Sequence, residues 1–542
     1  MEYKKFDFKG IERIEIPRTD ADFTADKNFG IDIIKRYLPS ILATHSKNAE
    51  KIDYFYKYYL GEQDILKKER LHEKDKDNNH IVVENHAKRQ VDFSTGFITS
   101  EKREYTHKID TSNDDLIYLD RYFTDCRFFD KDKELKNWVF ISGLGIVYVA
   151  PRTDFIETYG TDPITKAPLT RYNLHSDLFD IKYNAPFVID TIDPRYNFVV
   201  YSSRFDKNPL FCISIVDVDV TGESDKMPVI HKEINIETRY AHFKIESDNK
   251  YVNFYPNGIE DLSFEGAKAL RYLPMLECSI NPSRQGIIET NRDLFNQINY
   301  FKSDVADMIT DNANPLFVFI NADVDADDIK NIREAGGLVL NDLNNGGNGG
   351  KADFKVVASE IQFDGLNQHY EELITPAYDI AGVPLGSGIS SGGSNNQASV
   401  IQSGLSNSYI VAKNNITSFM SFDYELLRLI LYFCKQIPNC PVNELNANQV
   451  DIKYNIDVSE NFQAKAQGMM YMYNMNMPKQ AILKSSGMFN DITTLTNEWD
   501  KQDKEAKESS NKKASLSMQN NQDSDNNANV DDADEDGNNS QE

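Results

Sequence analysis

The chain has 542 residues, and its 85 aspartate and glutamate residues outnumber its 59 lysine and arginine residues, which gives a formal net charge of −26. This balance excludes a protein that coats DNA through a basic surface, because such binding needs many lysine and arginine side chains to displace counterions. Hydrophobic residues make up 40% of the chain. This is enough for packed cores, and the length predicts about three or four structural units.

The spacing of the cysteines and the hydropathy of the chain exclude further classes of protein. The five cysteines include no C-x-x-C pair, so they fit neither a disulfide scaffold nor a zinc cluster, and we expect buried free thiols. The N-terminal segment MEYKKFDFKGIERIEIP lacks the continuous apolar region of a secretory signal. The most apolar late segment, 426–433, is far shorter than the roughly 20 residues that cross a bilayer. We therefore expect no membrane partner.

The beginning of the chain is predicted to be mainly helical. Apolar residues at helical spacing from Ile31 to Tyr59 predict a pair of N-terminal helices that ends at Gly61. The segment NHAKRQVDFSTGF (85–97) predicts another helix. An aromatic-rich stretch from Leu116 to Phe140 predicts a second helical region, which leads into the strand GIVYVAP.

The middle of the chain changes to a β pattern and then back to helix. Between about 146 and 280, short β-branched and aromatic runs separated by Pro, Gly, Asn and Asp predict a mostly antiparallel β-region. Residues 291–313 then place Leu294, Phe295 and Ile298 on one apolar stripe. This predicts an amphipathic helix of about six turns.

The remaining elements form a distinctive series. The segment 315–362 predicts a small α/β insert with strands at 316–320, 338–342 and 354–359, a short acidic helix at 327–335 and a Gly-Asn hairpin. A helix follows at 364–381, then an uncharged loop at 384–397, then a helix of about 38 residues at 399–436. Residues beyond Asp500 have almost no apolar side chains and are predicted to be disordered.

This order of elements resembles the portal, or connector, proteins of tailed double-stranded-DNA bacteriophages of the siphophage type. Two amphipathic helices bracket a small β-rich insert, and a flexible loop and a very long helix follow. The resemblance covers roughly residues 30 to 490. Its local signatures are YYLGEQDI, NNHIVVENHAKRQVDFSTGF, ISGLGIVYV, IDPRYNFVVYSS and NYFKSDVADMITDNANPLFVFIN.

The resemblance implies an α+β ring subunit and the following divisions of the chain. They are an N-terminal arm (1–29), a wing of helices and β-structure (30–290), stem helix 1 (291–313), a clip (314–362), stem helix 2 (363–383), a tunnel loop (384–398), a long kinked helix with a helical crown (399–499), and a disordered acidic tail (500–542).

The resemblance also implies a function that is mechanical rather than enzymatic, with no cofactor. A homo-oligomer of about twelve subunits would assemble in the host cytoplasm and occupy one capsid vertex of the virion, where double-stranded DNA is packaged and later ejected. Implied partners are the terminase, the major capsid and scaffolding proteins, and a head-completion or adaptor protein. An acidic channel suits this role, because like charge repels phosphates and prevents DNA from sticking.

Two sets of residues are candidates for facing DNA. The tunnel loop has no charged side chain, so its contacts to phosphates would come from backbone amides and from Ser387, Ser390, Ser391, Asn395 and Asn396. Polar residues away from the apolar stripe of stem helix 1, namely Asn299, Lys302 and Asp307, are candidates for lining the channel.

Other motifs leave alternatives open. Asp323, Asp325, Asp327 and Glu334 match four ligand positions of a calcium-binding EF-hand loop, but Asp328 stands where the turn needs glycine. The simpler interpretation is that they cap the short acidic helix. GGNGGKA (346–352) lacks the first glycine and the hydroxyl of a P-loop and is better explained as a hairpin. The rival functions are a metal-dependent enzyme that uses the acids from Asp323 to Glu334, and a non-portal head adaptor.

Overall fold

The computed structural model describes residues 9–23, 27–67, 79–108, 114–152, 156–161, 168–172, 180–219, 230–247, 262–313, 316–320, 353–357, 362–385, 405–437, 439–456, 462–486, 492, 495–506 and 508–509. The chain divides into two compact units, Met1–Asp457 and Val458–Glu542. Helices and sheets both contribute substantially, which confirms the predicted α+β class.

The helices of the first unit lie in the regions where periodicity predicts helix. They are α1 (Lys27–Leu60), α2 (His86–Ile98), α3 (Asp115–Asp125), α4 (Phe128–Ser142), α5 (Ile287–Ala313), α6 (Phe363–Ala381) and α7 (Ser406–Lys435). The predicted amphipathic helix extends four residues further toward the N-terminus, to Ile287. The long helix is continuous over α7, while residues 399–404 of the prediction lie outside the described residues.

The prediction of two N-terminal helices is wrong, because α1 is a single helix of 34 residues that contains Pro39. The apolar stripe changes along α1 because its two halves pack against different partners. Ile34 and Leu38 lie in a core with the large β-sheet, whereas Phe55 and Tyr58 lie in the main helical core. Packing on both sides of the proline therefore keeps the helix continuous despite the backbone hydrogen bond that proline cannot donate.

The stretch from Leu116 to Phe140 is two helices rather than one. α3 ends at Asp125, and Arg127 adopts a left-handed backbone conformation with φ of 52° before α4 begins. This conformation is costly for a residue with a side chain. The break allows both helices to bury aromatic residues in one core, and the rings of Phe123 and Phe128 stack at 5.0 Å across it.

The predicted β-region contains most of the strands. In chain order the strands are β1 (Glu15–Ile16), β2 (Glu104–His107), β3 (Gly145–Pro151), β4 (Ile156–Thr161), β5 (Pro168–Tyr172), β6 (Phe187–Ile192), β7 (Asn197–Ser202), β8 (Pro209–Asp219), β9 (Ile230–Thr238), β10 (Ala241–Ser247), β11 (Leu262–Ala267), β12 (Met275–Cys278), β13 (Leu316–Ile320), β14 (Asp353–Val357) and β15 (Val450–Lys453).

Two sheets dominate this region. A six-stranded sheet has the order β1-β7-β8-β9-β10-β11, and a three-stranded sheet has the order β12-β3-β6. The pairs within them are antiparallel except for β1 with β7. The first half of β8 is a continuous apolar run, Leu210–Ile213, because both of its faces are covered there: Phe211 packs in the core that includes α1, and Cys212 packs with Met275 of the smaller sheet.

The described part of the N-terminal segment, residues 9–23, joins the six-stranded sheet. β1 pairs in parallel with β7, with Glu15 opposite Tyr201, and Phe23 is almost completely buried beside this sheet. The Gly10 amide also donates to Glu289 Oε1 of α5 at 2.8 Å. Residues 9–23 therefore tie the sheet to the start of α5.

The thiol state of the cysteines and the first and last strands of the insert match the predictions made from the sequence. All five cysteines are free thiols, of which four are buried and Cys126 is half-buried. β13 and β14 form an antiparallel pair that coincides with the first and last strands predicted for the insert. Residues 321–352 between them lie outside the described residues.

The second unit is helical. It contains α8 (Phe462–Asn474), α9 (Lys479–Ser486) and α10 (residues 495–506). The predicted start of disorder at Asp500 is therefore wrong, because the helix continues past it. Trp499 stacks on Tyr473 at 5.6 Å, and Lys479 pairs with both Asp500 and Asp503. In the part of the chain that the structure describes, every helix is too short or too polar to span a bilayer.

Candidate functional site

The two predicted stem helices, α5 and α6, pack against each other and run antiparallel. Asn291 near the start of α5 donates to the carbonyl oxygen of Ala377 near the end of α6 at 3.0 Å. Further along α5, the Phe301 ring lies 6.5 Å from the Tyr370 ring. β13 follows α5 and β14 precedes α6, so the paired strands join the helices at one end.

The exposed surface of this helix pair is acidic. Lys302 and Arg292 are half-buried, and each is paired with a carboxylate, Glu84 at 3.3 Å and Asp293 at 2.6 Å. Among the described Asp, Glu, Lys and Arg side chains of α5 and α6, those that are exposed are all acidic: Asp293, Asp304, Asp364, Glu371, Glu372 and Asp379. The pair therefore presents negative charge to its surroundings.

The same helices expose large apolar side chains. Phe363 is 57% exposed, Ile380 is 52% exposed and Ile309 is 46% exposed. In a single subunit these side chains contact water, which is costly for groups of this size. They indicate that another protein surface covers parts of the helix pair.

A short segment, residues 79–85, is bound along α5, and we call it the strap. Three alternate backbone N–H groups of the strap donate to three side chains that are four residues apart on α5: His80 to Asp307 Oδ1 (2.7 Å), Val82 to Ser303 Oγ (3.0 Å) and Glu84 to Asn299 Oδ1 (2.9 Å). Four helical residues rise about 6.0 Å, close to the advance of two residues of extended chain. The strap therefore runs nearly extended and antiparallel to α5.

The side chain of Glu84 joins the strap to both stem helices. Its Oε2 accepts hydrogen bonds from Tyr370 Oη (2.7 Å) and His86 Nε2 (2.9 Å), and its Oε1 lies 3.3 Å from Lys302 Nζ. Burial opposes ionisation of this carboxyl, but the hydrogen bonds from His86 and Tyr370 and the charge of Lys302 prevail and lower the pKa of Glu84 to about 2. The carboxylate is therefore firmly ionised at neutral pH.

The other ring nitrogen of His86 extends this network to α6. Nδ1 lies 2.8 Å from Tyr378 Oη. Because the Glu84 carboxylate can only accept, Nε2 carries the hydrogen, and Nδ1 of the neutral ring accepts from the tyrosine hydroxyl. The strap thus contacts α5 through backbone amides and through the side chains of His80 and Glu84. The contacts to α6 are made by the side chains of Glu84 and His86.

Comparison with known families gives one match over most of the chain. Residues 39–510 match the family model described as phage portal protein, SPP1 Gp6-like. The chain belongs to this portal protein family. Comparison with curated proteins finds no match.

Family membership assigns this chain a structural role in a bacteriophage virion. Portal proteins are structural rather than enzymatic, and the family implies a ring oligomer associated with the capsid and with DNA. The predicted resemblance to portal proteins is therefore confirmed.

Asn299, one of the three residues predicted to line the channel, lies buried within its own subunit. Asn299 has no exposed surface, and it accepts from the Glu84 amide and donates to Gln63 Oε1. It is a buried link between α5 and the strap, so its prediction as a channel residue is wrong. The strap covers the polar side of α5. Periodicity alone predicts that this side of the helix is exposed to solvent.

The other two stem candidates face their own subunit in part. The Lys302 ammonium lies 3.8 Å from the centre of the Tyr370 ring, besides its contact with Glu84. Asp307 accepts from the backbone and ring of His80, and its side chain is 14% exposed. Their role in lining the channel stays a prediction.

The remaining predicted site residues lie outside the described residues. These are the loop residues Ser387, Ser390, Ser391, Asn395 and Asn396, and the acids Asp323, Asp325, Asp327 and Glu334. Within the described ranges, no group of three or more His, Cys, Asp and Glu side chains is placed to hold a metal ion.

Sequence reasoning missed the strap and its partners on α6. The run Ile81–Val83 is apolar, but the contacts that matter are made by backbone amides, which nearly every residue carries. The only available signal was the spacing of Asn299, Ser303 and Asp307, three short polar side chains that share one face of α5 because they recur every four residues. That pattern indicates a polar face without indicating that another segment covers it.

Proposed function

We propose that this portal subunit assembles into a closed ring of about twelve copies, whose central channel conducts double-stranded DNA into the capsid during packaging and out of it during ejection. The acidic exposed surface of α5 and α6 carries this proposal. A duplex with one negative charge per about 1.7 Å is repelled by an acidic wall. Weak contact is what a conduit for DNA requires, because a basic wall would hold phosphates in place.

The exposed apolar residues of the stem support the ring. Ile309, Phe363 and Ile380 lie on the same two helices that carry the acidic surface. A closed ring buries such residues between neighbouring subunits, using the same pair of surfaces at every interface. The acidic face would then line the channel while the apolar positions hold the subunits together.

The location and partners follow from this proposal. The ring would occupy one vertex of the capsid after assembly in the host cytoplasm, in contact with the major capsid and scaffolding proteins. Nucleotide hydrolysis would belong to the terminase, which would dock on the ring during packaging. After packaging, a head-completion or adaptor protein would bind the ring in place of the terminase.

The loop at 384–398 is proposed to touch DNA at the narrowest part of the channel. Its serine and asparagine side chains offer neutral hydrogen bonds to phosphates, which position DNA without reading sequence. Four glycines (Gly386, Gly388, Gly392 and Gly393) permit a different backbone conformation in each copy. Such freedom suits a ring whose symmetry differs from that of a helical duplex.

A packaging assay with purified proheads tests this assignment. Ser390→Lys combined with Asn395→Lys adds two positive charges per subunit in the loop, which should slow or stall DNA passage at low salt. Raising the salt should relieve the defect, because the added contacts release counterions. Packaging rates would be measured against salt concentration for wild type and variant, after ring formation is verified.

The matched control places the same charges in the wing. Ser203→Lys with Asn208→Lys alters two exposed residues next to the β7–β8 turn and should package at the wild-type rate. If the loop variant forms rings and also packages at the wild-type rate at low salt, the loop does not contact DNA. A wild-type protein that forms no ring would overturn the channel itself.

A further inference from the structure

The strap has an inner edge that is bound to α5 and an outer edge that points away from it. The inner edge consists of the amides of His80, Val82 and Glu84, which donate to α5. Successive amides of a nearly extended chain point in opposite directions, so those of Ile81 and Val83 form the outer edge. Among the residues that the structure describes, neither of these two amides has a hydrogen-bond partner. The outer edge therefore offers two donors to another molecule.

The outer edge is already ordered in the single subunit. Ile81 lies between two residues, His80 and Val82, whose amides are both bonded to α5. Its side chain is nevertheless 46% exposed. Because the backbone is held on both sides, binding a partner here orders little additional chain, and the entropic cost of association is low. An ordered edge with two donors and an apolar side chain is suited to bind another protein surface.

Helix α6 carries a row of acceptors with the spacing that such an edge needs. Asp364, Gln368 and Glu372 are four residues apart, and all three are exposed. The three acceptors of α5 that bind the inner amides of the strap are also four residues apart. Phe363, which is 57% exposed, lies at the start of this row. The row can therefore accept alternate amides of an extended chain and cover an apolar side chain beside them.

The outer edge and the acceptor row lie at the same height on the helix pair. The strap between His80 and Val82 lies beside residues 303–307 of α5. The antiparallel packing of the two helices places residues 362–366 of α6, which include Asp364, at that height. Copies in a closed ring are related by rotation about one axis, so neighbouring stems that run along this axis meet at equal heights.

We propose that, in the ring, the strap of each subunit binds α6 of the next subunit. The Ile81 amide donates to the Asp364 carboxylate, and the Val83 amide donates to the side-chain carbonyl oxygen of Gln368. The Ile81 side chain packs against Phe363. A carboxylate is a strong acceptor for an amide, so the donors of the strap match the negative charge of α6. The strap then lies between α5 of its own subunit and α6 of its neighbour.

This interface rests on the proposed ring and identifies the two surfaces that meet in its stem. One row of α6 then serves contact between subunits rather than the channel wall. The exposed acids outside this row, among them Asp304 and Asp379, remain available to line the channel. The stem thus uses different acids for assembly and for repelling DNA.

Native mass spectrometry of full-length variants tests the acceptors. Asp364→Ala with Gln368→Ala should weaken each contact between subunits more than tenfold, because two hydrogen bonds are lost and one of them involves a charged group. The fraction of protein in rings should fall accordingly. The matched control, Asp293→Ala with Gln297→Ala, makes the same changes at two exposed positions four residues apart on α5. It should form rings as completely as wild type does.

Hydrogen–deuterium exchange of wild-type protein tests the amides themselves. At a concentration too low for rings, the Val82 amide should be protected by its bond to Ser303, whereas the amides of Ile81 and Val83 should exchange rapidly. In assembled rings these two amides should exchange at least tenfold more slowly than in the free subunit. The Val82 amide should exchange slowly in both states and serves as the internal reference.

Two outcomes would overturn the strap interface and leave the ring intact. In one, wild-type rings form, but the amides of Ile81 and Val83 exchange at the same rate in rings and in free subunits. In the other, the double variant of α6 forms rings as completely as the double variant of α5. If wild-type protein forms no rings, the proposed function fails and this interface fails with it. The mass spectrum of the wild-type protein therefore distinguishes the two failures.

Discussion

Arg103 lies at the centre of a buried ion cluster that joins distant segments of the portal subunit. Its guanidinium contacts Asp132 of α4 at 2.7 Å and also Asp423 of α7, and these three side chains are at most 6% exposed. Asp423 also accepts from the Tyr454 hydroxyl at 2.5 Å. Removing these charges from water costs free energy. Once they are buried, each charge is stabilised by its oppositely charged partners, and losing one partner leaves the other charge unpaired.

We expect Arg103→Met to destabilise the subunit by about 3–5 kcal/mol, because it leaves two buried carboxylates without their main partner. The matched control is Lys453→Met, which removes an exposed pair with Glu104 at 3.9 Å and should cost less than about 1 kcal/mol. Urea unfolding of both variants measures the two values. Equal losses would show that the buried cluster contributes no more than a surface pair.

The low pKa of Glu84 predicts how the stability of the fold changes at acid pH. Its folded pKa of about 2 lies below its ordinary value of 4.5, so its ionised form stabilises the fold fully above pH 4.5. This contribution disappears as the pH falls from 4.5 through 2. Glu84→Gln should therefore be less stable than wild type at pH 7, and the difference should shrink below pH 4.5. Thermal unfolding of both proteins across this range measures it, and a constant difference would contradict the assignment.

Helix α10 has a structural role that its polar composition does not indicate. α10 is polar, yet Trp499 stacks on Tyr473 of α8, and Lys479 at the start of α9 pairs with two of its carboxylates. These contacts tie the three helices of the second unit together.

Two truncations distinguish the contribution of α10 from that of the acidic residues after it. Ending the chain at residue 510 removes almost no apolar side chain and should leave ring assembly and thermal stability nearly unchanged. Ending it at 494 also removes Trp499 and both carboxylates, so the melting temperature of the second unit should fall. Differential scanning calorimetry of both proteins tests this. A large loss from the shorter deletion would show that the acidic tail folds onto a partner.

The exposed apolar side chains of α5 and α6 lead to a prediction about assembly of the ring. Twelve copies of the 62.0 kDa chain have a mass of about 740 kDa, which native mass spectrometry can resolve from the subunit. Phe363→Ser should reduce the ring fraction without unfolding the subunit, because this side chain is already 57% exposed in the single chain.

The control for assembly is an equally exposed residue elsewhere. Ile117 of α3 is 53% exposed, and Ile117→Ser should leave the mass distribution as it is in wild type. If Phe363→Ser forms rings as completely as Ile117→Ser does, the stem surface that carries Phe363 does not take part in the subunit interface.

Local patterns in the sequence determined the order and type of most elements. Apolar spacing predicted α5 and α6, alternation and turn residues predicted the β-region, and the series of these elements indicated the portal family. These features could be predicted because periodicity is a property of neighbouring residues, and burial of one face follows directly from it.

Which surface covers each face depends on segments that are far apart in the chain, so local patterns could not predict it. α1 remains one helix through Pro39 because two separate cores hold its halves, and neither core is visible in the local pattern. Asn299 is buried rather than channel-facing because the strap, more than 200 residues earlier in the chain, covers the polar side of α5. Its partner there is a backbone amide, which has the same chemistry at almost every position and leaves no trace in the sequence.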